Sequence, residues 1–168
     1  MVLDAILRTR VVEGMAWDSR IIESCTDSRW SHAEALQGEM TFGAQLKGGV
    51  KWRRLDDPCY RNVQRIAEID IACTKEQEQR VWQFWLAQDG KPYDWRAIIS
   101  FVPIFRRIVN DRNWRDEDAW FCDELLIAGL LLEDLIYVPE DLQIVSFSPR
   151  DYWLMIRQYP NVTTRILA

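Results

Sequence analysis

The sequence predicts an α+β fold, with an antiparallel sheet drawn from its first seventy or so residues and packed against helices drawn from the rest. Three observations carry that reading. β-Branched and aromatic residues fall in short runs broken by turn residues as far as about residue 72. Thr74-Lys75-Glu76-Gln77 then has the form of a capping box, and beyond it apolar residues recur three and four apart, the spacing of a helix face. A chain of 168 residues suits one domain with a single sizeable core, taken as 1–168. It shows no internal repeat, low-complexity tract or long linker.

Strands are expected at Arg10-Val11-Val12, Ile21 to Cys25, Trp30 to Leu36, Thr41 to Leu46, Val50 to Arg53 and Gln64 to Ala72, with Gly48-Gly49 as a turn. Alternation along Ser31-His32-Ala33-Glu34-Ala35 places His32 and Glu34 on one face of their strand and the other three on the opposite face. A helix is expected over 75–89, where Val81, Phe84, Trp85 and Gln88 share a face and Gly90 and Pro92 stop the run. A short helix near Asp94 to Phe101 and a polar loop over 106–118 follow. The next helix, about 121–133, carries Cys122, Leu125, Leu126, Gly129 and Leu130 on one apolar face. A last short helix starts at Ser148-Pro149, serine at the N-cap and proline at the first helical position.

The formal charge is −5 and the pI near 5.0, which argues against a general nucleic-acid binder; no nucleic-acid partner is expected. Lys51, Arg53 and Arg54, and Arg106, Arg107, Arg112 and Arg115, are local basic clusters that read as solvated arginines with their stems on apolar surface. No apolar stretch is long enough to span a bilayer. Met1 to Arg8 lacks the basic start, apolar centre and cleavage site of a secretory signal. Cys25, Cys59, Cys73 and Cys122 include no Cys-x-x-Cys pair and have one histidine to help them, so neither a zinc site nor any other cofactor is expected, and the thiols read as free.

Two segments carry chemistry. Arg29-Trp30-Ser31-His32-Ala33-Glu34 holds the only histidine in the protein, and Ala119-Trp120-Phe121-Cys122-Asp123-Glu124-Leu125-Leu126 puts a cysteine at a helix start. Unpaired N–H groups and the helix dipole there favour a thiolate. A cysteine, a histidine and a polar group to orient the histidine are the minimal set for nucleophilic acyl transfer. The plainer alternative is a buried cysteine serving as a small hydrophobe.

A third segment, Gly90-Lys91-Pro92-Tyr93-Asp94-Trp95, lies upstream of Cys122. Together with Ser31-His32, Thr41-Phe42-Gly43-Ala44-Gln45 and Trp120 to Leu125 it resembles the circularly permuted branch of the NlpC-type papain-like cysteine peptidases and amidases, in which the histidine strand precedes the cysteine helix. The resemblance spans roughly residues 29–130. It implies a papain-like fold, Cys122 as nucleophile, His32 as general base, and a polar side chain on the following strand to hold the imidazole. Gln45 fits that place, with Glu34 as the alternative. Tyr93 matches the family tyrosine beside the nucleophile. Where relatives carry serine after the cysteine, this chain has Asp123, which opposes ionisation of a neighbouring thiol or binds a free amino group of the substrate. Trp95 and Trp30, with Trp17, Trp52 and Trp120, are candidates to line the cleft, although most tryptophans in such a chain belong to the core. The implied substrate is an amide, in a peptidoglycan-type peptide or an acyl amide, handled in the cytoplasm or delivered on a phage particle. The alternative is the same fold kept as an inactive binding or structural module.

Overall fold

The computed structural model describes residues 2–14, 28–96, 118–139 and 147–167. Six strands form one antiparallel sheet: β1 (Ala5–Glu13), β2 (His32–Gln37), β3 (Met40–Gln45), β4 (Gly49–Arg54), β5 (Arg65–Cys73) and β6 (Val162–Leu167), in the order β4-β3-β2-β1-β5-β6. Three helices, α1 (Lys75–Leu86), α2 (Cys122–Leu132) and α3 (Pro149–Ile156), accompany it among the described residues. The expected strand at Ile21 to Cys25, the polar loop over 106–117 and most of the expected helix after Asp94 lie outside the described residues; helical backbone is present at Trp95 and Arg96.

The strands from Thr41, Val50 and Gln64 are present within a residue or two of their expected limits. The N-terminal strand is longer than Arg10-Val11-Val12. It pairs along all nine residues with β5, from Ala5 opposite Cys73 to Glu13 opposite Arg65. Polar Arg8 and Thr9 hide its first part in the sequence, and partners from strand and helix satisfy them: Arg8 Nε donates to Asp70 Oδ1 on β5 at 2.5 Å and Thr9 Oγ1 lies 2.7 Å from Tyr152 Oη on α3. The edge strand β6 was not expected. It is exposed along most of its length, so no buried face marks it.

Alternation divides the sheet. One face presents Leu7, Val11, Ala33, Ala35, Phe42, Ala44, Val50, Ala67, Ile69 and Ile71 to a core shared with the helices. α1 begins at the expected capping box, with Thr74 Oγ1 accepting from Gln77 N–H at 3.2 Å and Gln77 Oε1 accepting from Thr74 N–H at 3.0 Å. It crosses α2 closely enough that a Cβ on Gly129 would meet Trp85 Nε1 at 2.3 Å. That indole N–H donates to Leu125 O at 3.0 Å. α2 is not the one-faced helix that spacing suggests: Cys122 through Ile127 are all buried, because the sheet, α1 and α3 surround its first turns. α3 starts at Ser148-Pro149 as expected, with Ser148 Oγ accepting from Asp151 N–H at 3.3 Å.

Candidate active site

The polar face of the sheet gathers around Glu34. Its stem is flanked by Arg10, directly opposite on β1, and by Gly43 on β3, where a Cβ would come 2.9 Å from Glu34 Cβ. Only the absence of a side chain at 43 lets the strands close there. Arg10 approaches one carboxylate oxygen: its Nε donates to Oε1 at 2.7 Å and its Nη2 lies 2.6 Å from the same atom. The other oxygen, Oε2, takes His32 Nε2 at 3.2 Å and the Tyr60 hydroxyl, which donates to it at 2.7 Å.

Tyr60 is carried to this point by a short 3-10 turn, Pro58–Tyr60, capped by Asp57 Oδ1 accepting from Cys59 N–H at 2.9 Å. The Arg10 guanidinium lies over the Tyr60 ring at 4.7 Å. With its proton given to Glu34, the Tyr60 oxygen can accept two bonds. It meets Thr41 Oγ1 at 2.6 Å and accepts from Gln45 Nε2 at 3.2 Å. His32, Glu34, Arg10, Tyr60, Thr41 and Gln45 are all buried, so this is a buried polar network in which Glu34 is the hub.

Burial by itself would push the Glu34 carboxyl up. The His32 contact, the Arg10 charge and the Tyr60 hydroxyl outweigh it and hold the group down at about 2. Burial and the Glu34 charge push the Tyr60 phenol up, so it remains a donor.

Cys122 opens α2, as the sequence places it, with no part of it exposed. Its Sγ donates to Asp123 Oδ1 at 3.6 Å. Burial, followed by the Asp123 charge, raises the thiol well above its ordinary value, while the Ala33 and Asp123 backbone groups work against them. Desolvation therefore beats the helix N-terminus, and the lowered thiol expected from position alone is corrected. Asp123 is itself raised well above an ordinary carboxyl, by burial first, and its Oδ2 is buried without a hydrogen-bond partner.

The site residues expected from the sequence thus fall into two groups. His32 and Glu34 are brought together, and Glu34 rather than Gln45 holds the imidazole. Gln45 reaches His32 only through Tyr60 and Glu34. The Cys122 thiol interacts with the backbone of Ala33, the residue after His32. No hydrogen bond joins Sγ to the His32 ring among the described residues. Tyr93 is buried beside Phe121, ring centres 5.6 Å apart, and bridges to Trp120. Asp94 N–H donates to Trp120 O at 3.0 Å. The Pro92-Tyr93-Asp94 segment therefore runs along the entry to the cysteine helix.

Two substrate-contact expectations are corrected. Trp30 packs in the core against Trp153 at 5.6 Å, and Asp123 is too deeply buried to meet a substrate amine. Trp95 is about half exposed, at 51%, and Trp17 lies outside the described residues. Arg10 and Tyr60 were missed. Tyr60 had a readable signal in Asp57-Pro58, a cap followed by proline at the first position. Arg10 had none until its opposite strand was known.

Among the described residues no three histidine, cysteine, aspartate or glutamate side chains come together as a metal site, and no helix is long and apolar enough to cross a membrane. Cys59, Cys73 and Cys122 are free thiols.

No protein-family model matches the chain, and no curated protein does. A solved structure does: the crystal structure of the metalloprotein yiiX from Escherichia coli O157:H7, DUF1105, with a TM-score of 0.59 at 16% identity, over 98% of this chain and 97% of that one. At that identity the likeness is one of fold.

Proposed function

We propose that this chain is a papain-like thiol hydrolase of the circularly permuted NlpC type, cleaving an amide bond in a peptidoglycan-type peptide or an acyl amide. The observation that carries the reading is the His32–Glu34 contact. A buried carboxylate on Nε2 fixes the ring and its tautomer, and so leaves Nδ1 as the nitrogen to take a proton from a thiol. The Cys122 helix begins against the same stretch of β2, and the likeness to a solved structure is one of fold over 98% of this chain.

In this reaction His32 Nδ1 takes the Cys122 proton and the sulfur attacks the amide carbonyl carbon. The Cys122 backbone N–H at the helix start stabilises the oxyanion. The imidazolium, balanced by Glu34, returns its proton to the leaving amine, and water then releases the acid from the thioester. For the sulfur to reach Nδ1 the thiol has to turn away from Asp123. The solved neighbour is described as a metalloprotein. Here His32 Nε2 and Cys122 Sγ are each engaged by a carboxylate, and the described residues supply no metal-holding set.

One observation favours a second reading, an inactive module of the same fold: the Cys122 sulfur is fully buried and bound to Asp123. Hydrolysis of peptidoglycan stem peptides and acyl amides, together with the rate of Cys122 alkylation against pH, separates the two. A hydrolase loses turnover in Cys122→Ser and His32→Ala while staying folded, and its Cys122 alkylation profile shifts in His32→Ala. No turnover, with a thiol indifferent to His32, would establish the inactive module.

A further inference from the structure

Arg10 approaches Glu34 at Oε1, 2.7 Å from Nε and 2.6 Å from Nη2. It therefore pins one oxygen and leaves the carboxylate to pivot about that point. Among the described residues, one group other than His32 holds Oε2, the Tyr60 hydroxyl at 2.7 Å. This hydroxyl has its own direction fixed from behind, by Thr41 Oγ1 at 2.6 Å and Gln45 Nε2 at 3.2 Å.

We infer that Tyr60 is a positioning residue for His32: by locking Oε2 of Glu34 it fixes the acceptor that holds Nε2–H, and through it Thr41 and Gln45 act on the imidazole they do not touch. The inference rests on the hydrolase reading for its purpose but not for its geometry. A tyrosine on a short turn, outside the sheet, thereby decides which ring nitrogen carries the proton. It also gives Gln45 a part in orienting His32, at two removes from the ring.

Because His32 is the only histidine, its ring gives a single set of signals in long-range proton–nitrogen correlation spectra of the full chain labelled with 15N. At a pH where the ring is neutral, the wild type should show the Nε2–H tautomer in large excess. Glu34→Gln, which removes the carboxylate, should abolish that excess. Tyr60→Phe keeps the aromatic ring beneath Arg10 and removes only the hydroxyl. It should lower the Nε2–H to Nδ1–H ratio by about two- to tenfold, the range one hydrogen bond commands. Thr41→Val should lower it in the same direction by less, and serves if Tyr60→Phe does not fold. A ratio unchanged or increased in the folded Tyr60 or Thr41 variant, while Glu34→Gln still changes it, overturns the inference. The readout needs no reaction at Cys122. Absent turnover with the expected tautomer shifts would therefore sink the hydrolase and leave the positioning intact, and turnover with unmoved tautomers would do the reverse.

Discussion

Glu34→Gln should make the protein's stability less dependent on pH in acid, and by an amount the structure sets. Glu34 is fully buried and its carboxyl is held at about 2, against an ordinary 4.5. The folded value lies below the unfolded one, so the contribution is complete above about pH 4.5 and is lost as pH falls through the folded value. At about 1.36 kcal/mol per pH unit the full contribution is about 3 kcal/mol, of which about 2 kcal/mol is gone by pH 3 and nearly all by pH 2. The assay is urea unfolding of wild type and Glu34→Gln at intervals from pH 6 to pH 2.5. Other carboxylates titrate in both proteins, so the difference between the two curves reports Glu34 together with the buried partners coupled to it, His32 first. The variant should be less stable throughout, since Arg10 loses its buried partner, at a cost of about 3–5 kcal/mol near neutrality. The difference should shrink by about 2 kcal/mol on going from pH 6 to pH 3. A difference that stays constant over that range would refute the assignment of Glu34 as an ionised hub, whatever its absolute size.

Three further outcomes follow from the packing and the thiol. Asp123→Asn removes the charge that, after burial, raises Cys122; alkylation of Cys122 at pH 8 should speed up about tenfold, and an unchanged rate would assign the raised thiol to burial alone. Gly129→Ala drives a methyl group into the Trp85 indole and its bond to Leu125 O, and should cost about 1–3 kcal/mol in urea or thermal unfolding. Thr9→Val leaves the Tyr152 hydroxyl buried without its partner at 2.7 Å and should cost about 1–3 kcal/mol, most of which is recovered in the double variant with Tyr152→Phe.

What could be read in the sequence was what depends on local chemistry. The capping box at Thr74, the Ser148-Pro149 start and the alternation that places His32 with Glu34 are all stated by neighbouring residues and all stand in the structure. What could not be read depends on pairing across the chain. Arg8 looks out of place in a strand until Asp70 is brought opposite it, and the part Arg10 plays shows only once Glu34 is opposite it. The role expected of Gln45 falls to Glu34 because Tyr60, from a turn fifteen residues further on, takes the Gln45 amide for itself. At Cys122 two sequence rules pointed in opposite directions, helix start against burial, and only the surrounding layers decide between them.

The register of the sheet has a consequence for the order in which the two halves of the candidate site come into being. Among the described residues, the groups of the His32 network, from Arg10 through Thr41 and Gln45 to Tyr60, are contributed before the sixty-first residue, and the bonds joining them close short loops, of 24, 26 and 15 residues for Arg10–Glu34, Glu34–Tyr60 and Gln45–Tyr60. Short closures cost little chain entropy. A ribosome therefore supplies this network around the histidine while the cysteine is still unmade, and the thiol follows later, on a helix that must find β2 across some ninety residues of chain.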